Sequence, residues 1–508
     1  MAAAEAERRK CPGESYEISM AICRTRQRNQ YPKCLLCPHR DAELAGSVPS
    51  DSRVSKSIFH RTAVLGRAPE QVNAYVMRKV GLASAQFLRS EDPEAGRLVV
   101  ACDRRDHSRG FCRAFAEGVN RGGMDVVNLG STPPELLAFV LGTDGYAGGA
   151  FVGGGNYADD VNGVRLWRAD CRLVGYGAGL EKVGLMARRM RLGRSRLPGN
   201  MHSFDPMKEY TAYVRKFAPN LRPLKVVVDA GSGTAGRVLE QIAGQLPLEL
   251  VCSGVEENPH APHLGKKFPS ANVVSRIAAG VRESRADFGA TIDFDAERIA
   301  FVDDRGNLLP HDIAAAFVAA EMLARSPGGC VAFDVRATSA LRETVRAADG
   351  QPVSAPVDRL GFAQHFRRND AICGADATGL HYFRDFFRFA SPFVALLIFC
   401  CHLSRRRRSA SEMAAELDRY ERSGEVAISL PSGEVGEQVL QRVREQFPNA
   451  EKEMIDGLTV RTRDWWFNLR QPGTAAELRL NVEARTNQEV RRGRQTVEQF
   501  VRAALDEA

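Results

Sequence analysis

The stretch Leu224-Lys-Val-Val-Val-Asp229, followed directly by Ala230-Gly-Ser-Gly-Thr-Ala-Gly236, decides the fold class of this chain. An apolar run that ends in an aspartate and a glycine-rich turn is typical of a buried strand connected to a helix. Similar blocks occur earlier, at Arg97-Leu-Val-Val-Ala101 and Met124-Asp-Val-Val-Asn-Leu129. The repeated alternation predicts an α/β protein, and 508 residues allow several such domains.

Composition excludes several other classes of protein. The excess of 70 Lys and Arg over 62 Asp and Glu is spread along the chain, so no nucleic-acid partner is expected. The N-terminus lacks the apolar stretch of a secretory signal, which favours a cytoplasmic location. Phe386–Leu403 is apolar but contains Arg388 and Pro392, so we interpret it as a buried helix and expect no membrane contact.

Four cysteines crowd the first forty residues, at Cys11, Cys23, Cys34 and Cys37. Cys34 and Cys37 form a CxxC pair, and four thiolates would suit zinc or an iron–sulfur cluster. Free thiols are the alternative, because the first pair is separated by eleven residues rather than two. This extension is also where a protein partner would bind. A stretch of small polar residues at 46–52 then predicts a linker.

Two loops carry residues suited to chemistry. Gly153-Gly-Gly-Asn-Tyr-Ala-Asp-Asp160 is rich in glycine, which lets backbone N–H groups approach an anion, although an ordinary connection has the same composition. Asp293-Phe-Asp-Ala-Glu-Arg298 places acids at alternate positions, where they can converge on Mg²⁺. A solvated acidic turn is the alternative for the second loop.

Two further loops follow along the chain. Cys373-Gly-Ala-Asp-Ala-Thr-Gly379 offers a carboxylate and a hydroxyl to a polyol, and Arg470-Gln-Pro-Gly-Thr474 offers a cation and a hydroxyl to a phosphate. Each is weak evidence alone, since ordinary turns contain the same residues. Their order along a multidomain α/β chain is more informative.

From about Ile58 to the C-terminus, the chain resembles the α-D-phosphohexomutases, the phosphoglucomutase and phosphomannomutase family. The similar segments, besides the four loops, are Val99–Arg105, Leu129–Pro133, Lys225–Gly236, Gly379–Phe386 and Leu478–Glu483. The resemblance implies three related α/β domains and a C-terminal α+β domain around a central cleft. The expected ranges are 1–56 for the extension, then 57–205, 206–315, 316–422 and 423–508 for the four domains.

The family interconverts hexose 1-phosphates and 6-phosphates by means of a phosphoserine and Mg²⁺, so the resemblance implies a hexose phosphate as partner. In this chain Gly155 stands at the phosphoserine position and Asn156 replaces the following histidine. The segment 148–170 contains no Ser or Thr. Arg105 and Arg298 match the arginines of the neighbouring family segments, and we assign them to the same catalytic centre.

The other family positions are altered more mildly. Asp293 and Asp295 match metal ligands, Glu297 replaces the third aspartate, and Phe294 stands where glycine is expected. The resemblance implies that the remaining matched positions bind the substrate. Arg359, Asp376 and Thr378 would bind the sugar, and Arg470, Gly473 and Thr474 would bind its phosphate.

Two functions follow from this pattern of losses. One is a divergent mutase, impaired or inactive because glycine replaces the phosphoserine, or one with a relocated phosphoryl carrier. The other is a pseudoenzyme, a non-catalytic sensor or scaffold that binds a phosphosugar and carries a metal-binding cysteine-rich head.

Overall fold

The computed structural model describes residues 8–10, 16–19, 22–23, 26, 54–143, 145–192, 198–261 and 267–506. Near the N-terminus, β1 (Arg8–Lys10) pairs antiparallel with β2 (Glu17–Ser19). Cys23 is buried against Ile18. Cys11, Cys34 and Cys37, with the segment 46–52, lie outside the described residues, so the expected metal site and linker stay predictions.

The first α/β unit contains a six-stranded sheet in the order β3-β7-β6-β4-β5-β8. Its strands are β3 (Val64–Arg67), β4 (Arg97–Cys102), β5 (Asp125–Ser131), β6 (Gly148–Val152), β7 (Val161–Arg168) and β8 (Met201–Ser203). Its helices are α1 (Ala74–Glu91), α2 (Ser108–Arg121), α3 (Pro134–Thr143) and α4 (Leu180–Arg189). Strands β4, β5, β6 and β8 are parallel, whereas β7 runs antiparallel to both β3 and β6.

The second unit repeats the arrangement with four strands in the order β10-β9-β11-β12. They are β9 (Leu224–Asp229), β10 (Leu248–Ser253), β11 (Phe288–Ile292) and β12 (Ile299–Val302). The helices are α5 (Met207–Val214), α6 (Ala235–Ala243) and α7 (Ala271–Ser284). Only β12 is antiparallel, paired with β11. The stretch 224–229 therefore forms the central strand that its sequence predicts.

The third unit has five strands in the order β14-β13-β15-β16-β17. They are β13 (Cys330–Asp334), β14 (Gln351–Ala355), β15 (Cys373–Ala375), β16 (His381–Phe383) and β17 (Phe389–Ala390). The helices are α8 (His311–Arg325), α9 (Ser339–Ala347), α10 (Arg359–Arg368), α11 (Pro392–Arg406) and α12 (Ala410–Leu417). Every residue of α11 from Pro392 to Leu403 is buried, which confirms the buried helix.

The fourth unit is an antiparallel sheet covered by two helices. Its strands are β18 (Glu421–Arg422), β19 (Val426–Ser429), β20 (Glu451–Glu453), β21 (Leu458–Arg461), β22 (Trp465–Arg470) and β23 (Glu477–Ala484). The helices are α13 (Gly436–Glu445) and α14 (Asn487–Asp506). Both β18 and β19 pair with β23, and the order continues through β22 and β21 to β20.

One apolar core is continuous through the first three units, whereas the fourth unit has a separate core of its own. Three related α/β units followed by an α+β unit confirm the expected fold class. Within the described ranges, no helix has both the length and the apolar character required to cross a membrane.

Candidate functional site

Three of the four candidate loops occupy the same place in their units. Each connects a parallel strand to the antiparallel strand beside it: 153–160 joins β6 to β7, 293–298 joins β11 to β12, and 376–380 joins β15 to β16. The carboxyl ends of parallel strands gather such loops at one edge of a sheet. The second and third loops touch directly, since the backbone N–H of Ile299 donates to the carbonyl of Gly379 at 2.9 Å.

The glycine loop has room for a side chain at one of its three glycines. A Cβ added at Gly153 would stand 2.6 Å from Asp103 Oδ2, and one at Gly154 would overlap the carbonyl of Val161. Both positions therefore require glycine, because Asp103 and the Val161 backbone approach them too closely for a Cβ atom. At Gly155, by contrast, the nearest atom would be 3.6 Å away, although φ is +62°, in the left-handed region.

A side chain at Gly155 would point toward the acidic loop of the second unit. Its Cβ would lie 3.6 Å from Arg165 Nη2 and 3.9 Å from Asp295 Oδ2. The sequence-based prediction assigned this position to the missing phosphoserine. The structure places this position beside Asp295, and the assignment itself stays a prediction.

Arg105 holds the glycine loop in place. Its Nη2 donates to the carbonyls of Gly155 and Tyr157, at 2.8 and 2.9 Å. Its Nη1 donates to Asp103 Oδ2 at 2.5 Å and lies 3.4 Å from Asp295 Oδ1. The guanidinium is buried, so Arg105 is committed to positioning the loop and pairing with carboxylates.

The first two acids of the acidic loop are buried in different environments. Asp293 Oδ1 accepts the backbone N–H groups of Glu297 and Arg298, at 2.7 and 3.0 Å, and Arg298 Nη1 lies 3.2 Å from Oδ2. Asp295 Oδ2 has no hydrogen-bond partner among the residues that the structure describes. Burial, with a contribution from the nearby Asp103 carboxylate, raises the pKa of Asp295 to about 8.

The third acid, Glu297, is bound by two arginines from other units. Arg165 of β7 donates from Nη1 to Oε1 at 2.5 Å, and Arg359 of α10 donates to Oε1 and Oε2 at 2.6 and 3.1 Å. Burial opposes ionisation, but the two guanidinium charges outweigh it and lower the pKa of Glu297 to about 2. Glu297 is therefore an ion-pair partner with both oxygens engaged.

The carboxylates do not form the expected magnesium site. Mg²⁺ takes oxygen ligands in near-octahedral geometry, usually from one or two carboxylates together with waters and substrate phosphates. Here Glu297 gives both oxygens to arginines and Asp293 gives both to N–H groups, which leaves Asp295 Oδ2 alone. In the described part of the chain, no three His, Cys, Asp or Glu side chains are grouped to hold a metal. As they are paired in this structure, the three acids do not fit the three-carboxylate magnesium site that the family resemblance implies.

The third loop has a hydrogen-bonded carboxylate and hydroxyl. Asp376 Oδ1 accepts the backbone N–H and the hydroxyl of Thr378, both at 2.8 Å. Arg298 Nε donates to the Thr378 hydroxyl at 3.3 Å. The predicted catalytic Arg298 thus connects the acidic loop to the predicted sugar-binding pair.

The fourth loop follows β22. Arg470 Nη2 donates to Glu425 at 2.7 Å, and its buried Nε has no hydrogen-bond partner within the described ranges. Gly473 adopts a φ of +59° with no atom within 4 Å of an added Cβ, so the loop is open at that point. Thr474 packs its backbone against Gly433.

A cleft of about 670 Å³ lies between these loops. Its basic side chains are Lys267, Arg298, Arg336 and Arg422, and its acids are Asp312, Glu425 and Glu483. Asn156 and Thr378 also line it, whereas Arg470, Gly473 and Thr474 do not. The glycine loop contributes Asn156 to the lining of this cleft. Arg470 lies behind the lining and donates a hydrogen bond to Glu425, which lines the cleft.

Sequence reasoning missed Arg165, Arg336 and Trp466. Arg165 lies two residues after Gly163 on β7, and a charged residue in an otherwise apolar strand is the signal that could have identified it. Arg336 follows β13 and pairs with Asp334 at 2.7 Å. Trp466 donates from Nε1 to Glu483 at 2.7 Å, a contact between neighbouring strands.

Comparisons with known proteins agree with this architecture. Models described as phosphoglucomutase/phosphomannomutase alpha/beta/alpha domains I, II and III match residues 56–171, 208–306 and 310–420. The chain is 28% identical over 431 residues to the phosphohexose mutases of Xanthomonas campestris pv. campestris, covering 84% of this chain and 95% of the relative.

Two solved structures share the fold. A phosphoglucomutase/phosphomannomutase family protein from Burkholderia thailandensis has a TM-score of 0.81 at 23% identity, covering 89% of this chain and 98% of its own. An Aspergillus fumigatus N-acetylphosphoglucosamine mutase in complex with GlcNAc-6P and magnesium has a TM-score of 0.55 at 13% identity, covering 89% and 97%. With three consecutive domain models matched, the chain belongs to the α-D-phosphohexomutase family of phosphoglucomutases and phosphomannomutases.

Proposed function

We propose that this chain binds a hexose phosphate in the cleft between its four units without transferring the phosphoryl group. The observation that carries this proposal is Gly155. The family resemblance places it at the phosphoserine position; a Cβ there would lie 3.9 Å from Asp295 Oδ2, and glycine has no side-chain atom that can accept a phosphoryl group. Catalysis through a covalent intermediate requires a nucleophile at that place.

Neighbouring hydroxyl groups do not replace the missing one. The Ser108 hydroxyl donates to Asp103 and accepts from Asn162 Nδ2 at 2.8 Å, within a buried network. Tyr157 directs its carbonyl toward Arg105, while its side chain is 57% exposed. The Ser108 hydroxyl is buried and engaged. The Tyr157 ring lies 3.8 Å from a Cβ added at Gly155, but a phenol on this exposed side chain differs in reach and geometry from a serine hydroxyl at Gly155.

The charge of the cleft supports binding. Arg298, Arg336, Arg422 and Lys267 line it, and arginine recognises phosphate through paired N–H donors. Asp376 and Thr378 offer a carboxylate and a hydroxyl to sugar hydroxyls. The Aspergillus relative of the same fold holds GlcNAc-6P, which favours a hexose phosphate as the ligand class.

A coupled enzyme assay tests whether the protein transfers a phosphoryl group. Purified protein is incubated with glucose 1-phosphate or mannose 1-phosphate, Mg²⁺ and the corresponding hexose 1,6-bisphosphate. Loss of a covalent nucleophile costs roughly 10⁴ to 10⁶ in rate, so we expect no turnover above background. Wild-type turnover at several per second would contradict the proposal.

Two variants at one position separate the effect of a hydroxyl group from that of backbone strain. Gly155→Ser supplies the hydroxyl, and Gly155→Ala imposes the same left-handed strain, about 1–2 kcal/mol, without it. Activity in the serine variant alone would mean that the rest of the cleft is intact. Thermal stabilisation of wild-type protein by glucose 1-phosphate or mannose 1-phosphate measures binding separately, and its absence for both sugars would contradict the proposal.

A further inference from the structure

Arg165, Glu297 and Arg359 form an ion triplet that joins three units. Arg165 comes from β7, Glu297 from the acidic loop after β11, and Arg359 from the start of α10. All three are largely buried, with side-chain exposures of 14%, 4% and 19%. The triplet stands where the family resemblance places the third metal ligand.

The triplet has an excess of positive charge. Two guanidinium groups share one carboxylate, which leaves one positive charge in a partly buried place. The neighbouring groups balance this charge, because Arg105 and Arg298 lie among three carboxylates, Asp103, Asp293 and Asp295, the last 3.4 Å from Arg105 Nη1. Within the triplet, two guanidinium groups share one carboxylate, which leaves N–H donors available to the oxygens of an anion.

Arg165 is the member that can reach such an anion. Only its Nη1 is engaged by hydrogen bonding to any residue that the structure describes. Its Nη2 points toward the space beside Gly155, 3.6 Å from an added Cβ. The other atoms that bound this space are Tyr157 Cδ2 at 3.8 Å and Asp295 Oδ2 at 3.9 Å from the added Cβ, both at ordinary van der Waals distance.

We propose that the Arg165–Glu297–Arg359 triplet takes the place of the divalent cation, so that the phosphate of a sugar phosphate binds beside Gly155 without metal. This inference rests on the proposed function. A guanidinium presents fixed N–H donors to phosphate oxygens and needs no free carboxylates. In this proposal the guanidinium groups of Arg165 and Arg359 supply the positive charge that Mg²⁺ supplies in Mg²⁺-dependent members of the family.

Calorimetric titration with glucose 1-phosphate tests the proposal in full-length protein. One titration contains EDTA and the other contains excess Mg²⁺. We expect dissociation constants that agree within twofold, because Glu297 and Asp293 have no oxygens to offer the ion. A tenfold or greater loss of affinity in EDTA would overturn the proposal.

A second measurement does not depend on any variant. Free Mn²⁺ gives an electron paramagnetic resonance signal that disappears when the ion binds protein. We expect the signal of added Mn²⁺ to remain in the presence of the protein. Stoichiometric loss of the signal, reversed by Mg²⁺, would show a functional cation site and overturn the proposal.

A matched pair of variants tests the role of Arg165. Arg165→Gln removes the guanidinium that faces Gly155 while Arg359 still pairs with Glu297, and we expect at least tenfold weaker binding in EDTA. Arg168→Gln is the control: it lies on the same strand, is 18% exposed, and pairs with Glu91 instead. Equal effects of both variants, or no effect of Arg165→Gln, would overturn the assignment.

The outcomes separate this inference from the proposed function. Binding that requires Mg²⁺, without turnover, contradicts only the metal-independent triplet. Wild-type turnover contradicts the proposed function, whatever the metal requirement. If neither glucose 1-phosphate nor mannose 1-phosphate binds with or without Mg²⁺, both proposals fail.

Discussion

At Gly155 the backbone adopts a left-handed conformation, and no side chain fills the space that faces Asp295. Single residues of this kind decide what the site can do. Under the proposed function, glycine leaves the phosphoserine position without a nucleophile. Glu297, one methylene longer than the aspartate that the family resemblance implies, accepts hydrogen bonds from Arg165 and Arg359.

Replacing Glu297 with Gln should be strongly destabilising. Removing one partner of a buried ion pair costs about 3–5 kcal/mol, because the remaining charges stay buried without compensation. Urea denaturation at neutral pH measures the free energy of unfolding. Glu117→Gln is the control, since Glu117 pairs with Arg78 at 2.8 Å but is 26% exposed, and its loss should cost about 1 kcal/mol or less. Equal losses in the two variants would contradict the importance of the triplet.

At the residue scale, the sequence indicated the candidate positions in the loops after strands, but it did not predict the side chains that these positions contact. Gly155, Asp293 and Asp376 follow strands, and that local pattern is readable. The pairing of Glu297 with Arg165 and Arg359 is not, because those partners are 132 and 62 residues away along the chain. The expectation of three free metal ligands did not include these arginines.

At the scale of elements, apolar periodicity predicted the strands closely. Arg97–Ala101 became β4 and 466–469 lies within β22. The apolar stretch from Phe386 is less regular: the helix begins only at Pro392, with Ser391 as its N-cap. Proline is favoured at the first position of a helix, so this boundary was readable from the sequence. The preceding Phe387 and Arg388 have positive φ and form a turn.

A buried glutamate connects three helices and should make stability depend on pH. Glu135 of α3 accepts the Tyr210 hydroxyl of α5 at 2.5 Å and the Ser391 hydroxyl at the start of α11 at 2.7 Å. Burial raises the pKa of Glu135 to about 8, although both hydrogen bonds oppose the shift. The folded state therefore holds this proton more tightly than the unfolded chain.

The direction of this pH dependence follows from the linkage between proton binding and folding. Because the folded pKa exceeds the unfolded value of about 4.5, the contribution of Glu135 to stability is fully present below pH 4.5 and is lost as pH rises toward 8. A shift of this size corresponds to at most about 5 kcal/mol. Glu135→Gln cannot titrate, so the fall in unfolding free energy between pH 5 and pH 8 should be smaller than in wild type. Parallel pH profiles, measured by urea denaturation, would contradict this.

At the scale of the whole molecule, the first three units and the fourth are joined differently. The first three share one apolar core, whereas polar contacts prominently connect the fourth unit to the third. Arg422 donates to Asp312 at 2.9 Å, and the backbone N–H of Ser339 donates to Glu483 at 2.8 Å. The sequence predicted four units, but such long-range contacts have no local signal. Polar interfaces of this kind permit movement between domains.

Binding of a sugar phosphate should therefore draw the fourth unit toward the third. We expect the radius of gyration, measured by small-angle X-ray scattering, to decrease when saturating glucose 1-phosphate is added. Arg422→Gln removes the contact with Asp312 and should enlarge the molecule in the absence of ligand. Inorganic sulfate at equal ionic strength controls for salt. Identical scattering curves for the free and saturated protein would contradict the expected closure.

The central claim is that the cleft binds hexose phosphate without chemistry, and ³¹P NMR tests both parts in one sample. Glucose 1-phosphate is mixed with wild-type protein, Mg²⁺ and a trace of glucose 1,6-bisphosphate, and spectra are followed over hours. We predict that the glucose 1-phosphate resonance shifts or broadens in proportion to protein, while no glucose 6-phosphate resonance develops. Accumulation of glucose 6-phosphate to many equivalents of protein would contradict the account.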